Sequence, residues 1–174
     1  ERLKAARDYA EAREAFLAHE AAYIHMETQA TLASVRHTID TRDEFYDAEE
    51  TFWNAATPEL DAYEDAWKGT MLESPFRKEF AAEYGDLMFV NAEIARKAFS
   101  PEIIPESQQE NELTQAYGKL IASAQIPFEG GVYTLSQLSP FKNDPDDARR
   151  LAAWQAEGAW YKEHQAEFDE IYDK

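Results

Sequence analysis

Cysteine is absent from these 174 residues, which excludes a disulfide scaffold and a thiolate zinc site. The absence is compatible with a cytoplasmic protein, and a cytoplasmic location is our expectation. Basic residues are scarce: 17 Lys and Arg stand against 35 Asp and Glu, for a net charge of −18. Phosphate recognition needs clustered cations, so the balance argues against nucleic acid as a partner and equally against an anionic membrane surface. A solvated acidic exterior accounts for the charge. No apolar run approaches the ~20 residues of a membrane-spanning helix. The chain opens Glu1-Arg2-Leu3-Lys4, without the apolar core of a secretion signal. It also lacks an initiator Met, so we expect the native N-terminus to lie upstream.

What the chain has is helical periodicity and aromatic mass. Over residues 2–26, Leu3, Ala10, Leu17 and Ile24 recur every seven residues, with Tyr9, Phe16 and Tyr23 beside them. Two adjacent rows make one broad apolar face. Leu32, Val35 and Ile39 extend it, so this helix is expected to reach about Thr38. The aromatic row suits a globular bundle better than a coiled coil. Thr41 and Glu44 fit a capping box, opening a helix that presents Phe45, Ala48, Phe52 and Trp53. Thr57-Pro58 predicts a kink or a new start, carrying Leu60, Tyr63 and Trp67 to a stop at Gly69. Ser74-Pro75 repeats that signal before a short helix ending at Gly85. The next helix, 86–99, sets Leu87, Val90, Ile94 and Ala98 on one face. Another runs from about 106 to 124 with Leu113, Tyr117, Leu120 and Ile121 inward.

Ile126 to Leu135 is the one expected β-hairpin, its turn built on Glu129-Gly130-Gly131, where paired glycines supply positive φ. Such a ribbon is marginal alone and must lean on helices. From Pro145, capped by Asn143 or Asp144, a long helix is expected to run to Tyr172 with Leu151, Trp154, Gly158, Tyr161, Gln165, Phe168 and Tyr172 on one stripe. Gly158 costs such a helix about 1 kcal/mol against alanine, which close approach of another helix would explain. No cap follows Tyr172, so the chain is expected to be cut inside a helix. The predicted fold is all-α with one small β-hairpin near 126–135, a single helical domain or fragment spanning 1–174.

Chemistry-bearing patterns are few. His19-Glu20-Ala21-Ala22-Tyr23 is one residue short of the H-E-x-x-H zinc helix. Tyr23 stands where the second imidazole belongs, and the better account of His19 is a helix-face residue beside the aromatic row. His25, His37 and His164 stand apart, and none of the four histidines has a Glu three residues before it, which excludes a helical di-iron centre. Asp144, Asp146 and Asp147 lack the glycine and distal Glu of a calcium loop and read as helix-start acids. No P-loop, dinucleotide fingerprint or nucleophile elbow occurs. The residues therefore offer no catalytic side chain and no metal ligand, and they leave substrate-binding positions undefined.

Tyr117 to Leu138, in the order A-Y-x-K-L-x-A-S-A-Q-I-x-F-E-G-G-x-Y-T-L-S-Q-L with Ala116, then D-x-A-R-R-x-A from Asp146 and E-I-Y-D from Glu170, resembles the oligoendopeptidase F family. Thr41 to Glu49 and Phe99 to Ile104 fit the same family in the same order. The resemblance implies a thimet-oligopeptidase-like zinc metallopeptidase whose helical N-terminal and middle region forms one wall of a deep channel for short peptides. It implies a zinc cofactor on a C-terminal catalytic half that these residues do not include, no cofactor in this chain, and no catalysis by this chain alone. That missing half and the short peptide substrates would be its partners. The alternative is a non-enzymatic helical module that binds a partner protein.

Overall fold

The computed structural model describes all 174 residues. It contains eight α-helices, two short 3₁₀ turns and one two-stranded antiparallel hairpin. The all-α expectation with a single hairpin is met. None of the helices is long and apolar enough to cross a membrane. The chain divides into two compact units, residues 1–109 and 110–174, with the division falling inside the fifth helix.

In the first unit, α1 runs Tyr9–Ile39. It starts later than its periodicity predicts because Asp8 is the cap: its carboxylate accepts from the Glu11 N–H at 2.9 Å, filling one of the orphan donors of the first turn. Leu3 lies outside the helix yet is buried. The aromatic row points inward as expected, with Phe16 buried and Tyr9 packed against the core. The aliphatic row beside it does not, since Leu17 and Ile24 are exposed.

The second helix, α2, spans Glu44–Leu72 without interruption. The expected Thr41–Glu44 box is replaced by Asp43, whose Oδ1 accepts from both Phe45 N–H (3.0 Å) and Tyr46 N–H (3.2 Å). Of the kink or new start expected at Thr57-Pro58, the new start does not occur: Pro58 sits buried inside α2. A proline there disrupts the carbonyls of the preceding turn, and the Gln108 side-chain amide donates to Ala55 O at 2.7 Å, serving that turn from outside. Gly69 does not stop the helix either. A Cβ on it would meet the Arg96 guanidinium at 2.8 Å, so the glycine permits a close approach.

Helices α3 (Arg77–Tyr84) and α4 (Leu87–Ala98) complete the core. Ser74 Oγ accepts from Phe76 N–H ahead of α3, and Gly85 (φ +90°) closes it as expected. On α4 the inward face is Phe89 and Ala92, whereas the predicted row Leu87, Val90 and Ile94 is exposed. Leu3, Ala12, Phe16, Met71, Phe80 and Phe89 form the buried cluster. Phe80 is its centre, fully buried, with ring centroids of Tyr9 at 5.1 Å and Phe16 at 5.4 Å.

Helix α5 (Ile104–Ala122) leads to the second unit. There β1 (Ile126–Phe128) pairs with β2 (Gly131–Tyr133), Phe128 facing Gly131. The turn is therefore Glu129-Gly130, and positive φ falls on Glu129 (47°) and Gly130 (81°), not on the glycine pair. Two left-handed residues suit the twist of a two-residue hairpin. Thr134 and Gln137 form a reciprocal capping box for the single-turn α6 (Leu135–Leu138). Ile126 and Leu138 are fully buried with Ala153 and Trp160; each such aliphatic side chain is worth about 1.5–3 kcal/mol. This is the helical support the ribbon requires.

The last long helix of the sequence reading is two helices, α7 (Asp147–Glu163) and α8 (Gln165–Tyr172), broken at His164. Asp146 caps α7, accepting from Ala148 N–H and Arg149 N–H at 2.8 and 3.1 Å, rather than Asn143 or Asp144. Its core face carries Ala153 and Trp160; Leu151 and Trp154 of the predicted stripe face away, while Tyr161 is partly exposed with its ring 5.5 Å from that of Phe168. Gly158 has nothing within 4 Å of an added Cβ, so the close helix approach expected there is not seen within its unit.

Candidate functional site

A cleft of about 410 Å³ opens in the first unit between α1, α2 and α4, with Tyr84 at the end of α3 closing one side. Its α2 wall is Glu64, Trp67, Lys68 and Met71, positions i, i+3, i+4 and i+7, which one helix face presents together. Phe16 from α1 and Phe89 from α4 complete an apolar floor, while Glu20, Glu64 and Lys68 bring charge to the edge.

His19 fixes the α1 side of that edge. Its ring stacks on Trp67 with centroids 3.9 Å apart, and Nε2 lies 2.9 Å from Glu64 Oε1. Burial lowers the imidazole below its ordinary value, against the raising effect of Glu20. The ring is therefore neutral at pH 7, and its Nε2–H donates to the carboxylate. Burial likewise raises Glu64, opposed by Lys68 and reinforced by Asp61 and Glu27. Asp61 is raised for the same reason. Tyr23, whose hydroxyl donates to Glu27 at 2.8 Å, is pushed up to about 12 by burial and then by that bond. A partly desolvated carboxylate above an aromatic floor can hold an apolar group that carries a hydrogen-bond donor or a positive charge.

The other histidines are brought to no common site. His37 is buried and bonds Asp47 at 3.1 Å. His164 bonds Glu167 at 2.6 Å, and His25 is exposed. No group of three or more His, Asp or Glu comes together in a metal-ligating arrangement. Asp144 and Asp146 serve the start of α7: Asp144 accepts from Asp146 N–H at 2.9 Å, and Asp146 caps the helix.

The second unit carries a polar clasp. Arg149 grips Glu129 with Nε (2.9 Å) and Nη2 (2.7 Å) and Asp144 with Nη1 (2.7 Å). Its guanidinium lies 4.9 Å from the Phe141 ring centroid. The pair ties the left-handed Glu129 of the hairpin turn to α7, and Arg149 holds Glu129 below its ordinary value. Lys142 and Glu157 form a second pair, both nearly buried. The clasp is structural.

Sequence reasoning did not find the cleft. Its lining comes from Phe16, from residues 64–71 and from residues 84–95, so no local spacing signals it. The i, i+3, i+4, i+7 set at Glu64 to Met71 was the only visible trace.

Three comparisons bear on this geometry. The family model described as the peptidase M3 N-terminal domain matches residues 1–99. Among curated proteins, none matches. Among solved structures, PZ peptidase A with an inhibitor is 38% identical over 99% of this chain, with a TM-score of 0.94. A putative oligoendopeptidase F is also 38% identical over 99% of the chain, at 0.94. A putative oligoendopeptidase F from Bacillus anthracis str. Ames is 34% identical over 99%, at 0.95. This chain spans 31%, 30% and 32% of those three chains.

Proposed function

The chain belongs to the family of peptidase M3 N-terminal domains, and from that premise we propose that it is the helical, non-catalytic part of a zinc-dependent oligoendopeptidase that hydrolyses short peptides. The observation that carries the reading is its likeness to two putative oligoendopeptidases F and to PZ peptidase A along 99% of its length. In this reading the helical units form a wall of the substrate channel, and the cleft beside Trp67 and Glu64 is a surface they offer to a peptide. The location that goes with it is the cytoplasm.

Zinc chemistry does not fit these residues. Tyr23 replaces the second imidazole of an H-E-x-x-H helix, and His19 is already held between Trp67 and Glu64. The metal ligands and the general base would come from outside residues 1–174, so no step of the reaction is assigned to a side chain of this chain. Its role is to bind and to enclose.

The test compares residues 1–174 with the full polypeptide that contains them. The full polypeptide should cleave an internally quenched short peptide and carry stoichiometric zinc by mass spectrometry, and it should leave a folded protein intact. Residues 1–174 alone should do neither. Turnover by 1–174 would overturn the proposal by placing the chemistry within these residues, and a full polypeptide that cuts no peptide would overturn it in favour of the non-enzymatic binding module.

A further inference from the structure

The outward face of α7 carries an exposed apolar row on a strongly acidic protein. Leu151 (58% exposed), Trp154 (54%) and Tyr161 (37%) stand on it with Gly158, spaced three, four and three residues apart. This is the a/d seam along which one helix packs against another. The neighbouring exposed positions Ala148, Ala152, Gln155 and Ala159 add no charge, and the charged Asp147 and Lys162 stand only at the two ends of the row. A solvated helix face ordinarily carries its charge outward. Between the two ends, the charges of α7 are engaged within its own unit: Arg149 with Glu129, Arg150 with Asp147, Glu157 with Lys142. Depletion of charge around aromatic anchors marks the centre of an interface.

Two details show what would sit there. Trp154 is held in place, its ring lying 4.6 Å beneath Lys142 Nζ, so a large anchor is preorganised while still open to solvent. Gly158, at the middle of the seam, has open space where a side chain would be. A mid-helix glycine weakens the helix and is of no use to it unless another backbone comes close.

We propose that the Leu151–Trp154–Gly158–Tyr161 seam of α7 is the seat for an apolar helix of the same polypeptide, contributed by the part outside residues 1–174. The proposal rests on the functional reading above. The chain spans only about a third of each similar solved chain, so roughly two thirds of such a polypeptide remains to provide the occupant. A second copy of this chain is the competing occupant.

The chain has no cysteine, so Gly158→Cys gives these residues a unique thiol, and Leu151→Cys gives a second reporter on the same seam should the first disturb packing. Each is placed in residues 1–174 and in the full polypeptide, with any thiol elsewhere removed, and its rate of reaction with a maleimide is measured. The expected result is fast, concentration-independent labelling of 1–174 and labelling slowed by about tenfold or more in the full polypeptide, where the seam must open first. Gly158→Leu should raise the melting temperature of 1–174 and lower that of the full polypeptide. Equal labelling in both contexts overturns the proposal. Protection in 1–174 alone that grows with its concentration assigns the seam to a second copy and overturns it too. The readouts do not use catalysis, so a seated seam in a polypeptide that cuts no peptide would sink the peptidase reading and leave the docking intact. A native polypeptide no longer than this chain would end both.

Discussion

Replacing Phe80 by alanine removes the residue on which the first unit's core converges. Phe80 is completely buried, with its ring against Tyr9, Phe16 and Tyr84 at 5.1, 5.4 and 6.3 Å. Losing a buried phenylalanine combines lost transfer energy with an uncollapsed cavity and costs about 3–5 kcal/mol. The three surrounding rings come from α1 and α3, so collapse requires helices to move and the cost belongs in the upper half of that range. A whole domain is stable by only about 5–15 kcal/mol. With a urea slope of about 2 kcal/mol/M, a loss of ~4 kcal/mol moves the midpoint down by about 2 M. Trp67 packs against this core and Trp160 lies in the second unit, so single-tryptophan variants report the two units separately. The Trp67 transition should shift by that amount, and Phe80→Leu, which keeps most of the volume, should cost less than about 1.5 kcal/mol. A Trp67 midpoint displaced by less than about 0.5 M would refute the placement of Phe80 at the centre of the core.

Three other outcomes follow from the geometry. His19 should titrate below its ordinary value of 6.5 in an NMR pH series; because its folded value is depressed, the folded state resists protonation and stability is lost as pH falls through about 6.5, and titration above that value would contradict its neutral bond to Glu64. Glu129 and Asp144 are both held below their ordinary values, Glu129 chiefly by Arg149 and Asp144 chiefly by the Asp146 N–H. Their contribution is present above the ordinary carboxylate range and disappears as pH falls through the depressed folded values. Arg149→Met should remove most of the Glu129 part of that acid dependence, as read by Trp160 fluorescence, and an unchanged acid limb would count against the clasp. Gly130→Ala places a side chain at φ +81° and should cost about 1–2 kcal/mol, whereas Gly158→Ala in residues 1–174 should gain up to about 1 kcal/mol; the same sign for both in thermal denaturation would contradict the assigned backbone.

Most helix boundaries were legible because Asp8, Asp43, Gly85 and Asp146 punctuate the chain at or near the places periodicity suggests, although α2 is one helix, α6 was not anticipated and the last helix is two. Facing was not. Tyr9 and Phe16 point inward, while the equally periodic Leu17 and Ile24, Leu87, Val90 and Ile94, and Leu151 and Trp154 are exposed. Periodicity identifies a face that is meant to be covered; it does not say whether the cover lies within the same 174 residues. Pro58 misled because its disturbed turn is served by Gln108, fifty positions away in sequence, and Gly69 because its reason is the Arg96 side chain on another helix. The hairpin was placed correctly, but its left-handed pair is Glu129-Gly130, a choice made affordable by Arg149, which no short-range rule would supply. The Trp67–Glu64 cleft draws on four helices and was invisible to local pattern for the same reason.

The claim at the centre of this account is that these residues are the non-catalytic helical part of a longer peptidase, and the intact mass of the polypeptide isolated from its own cells tests it most directly. A mass roughly three times the 20.0 kDa of this chain is the predicted result, because the chain spans 30–32% of the similar solved chains. A native mass of 20.0 kDa would contradict it, reduce the kinship to a shared scaffold, and make the exposed seams of α4 and α7 surfaces for a separate partner.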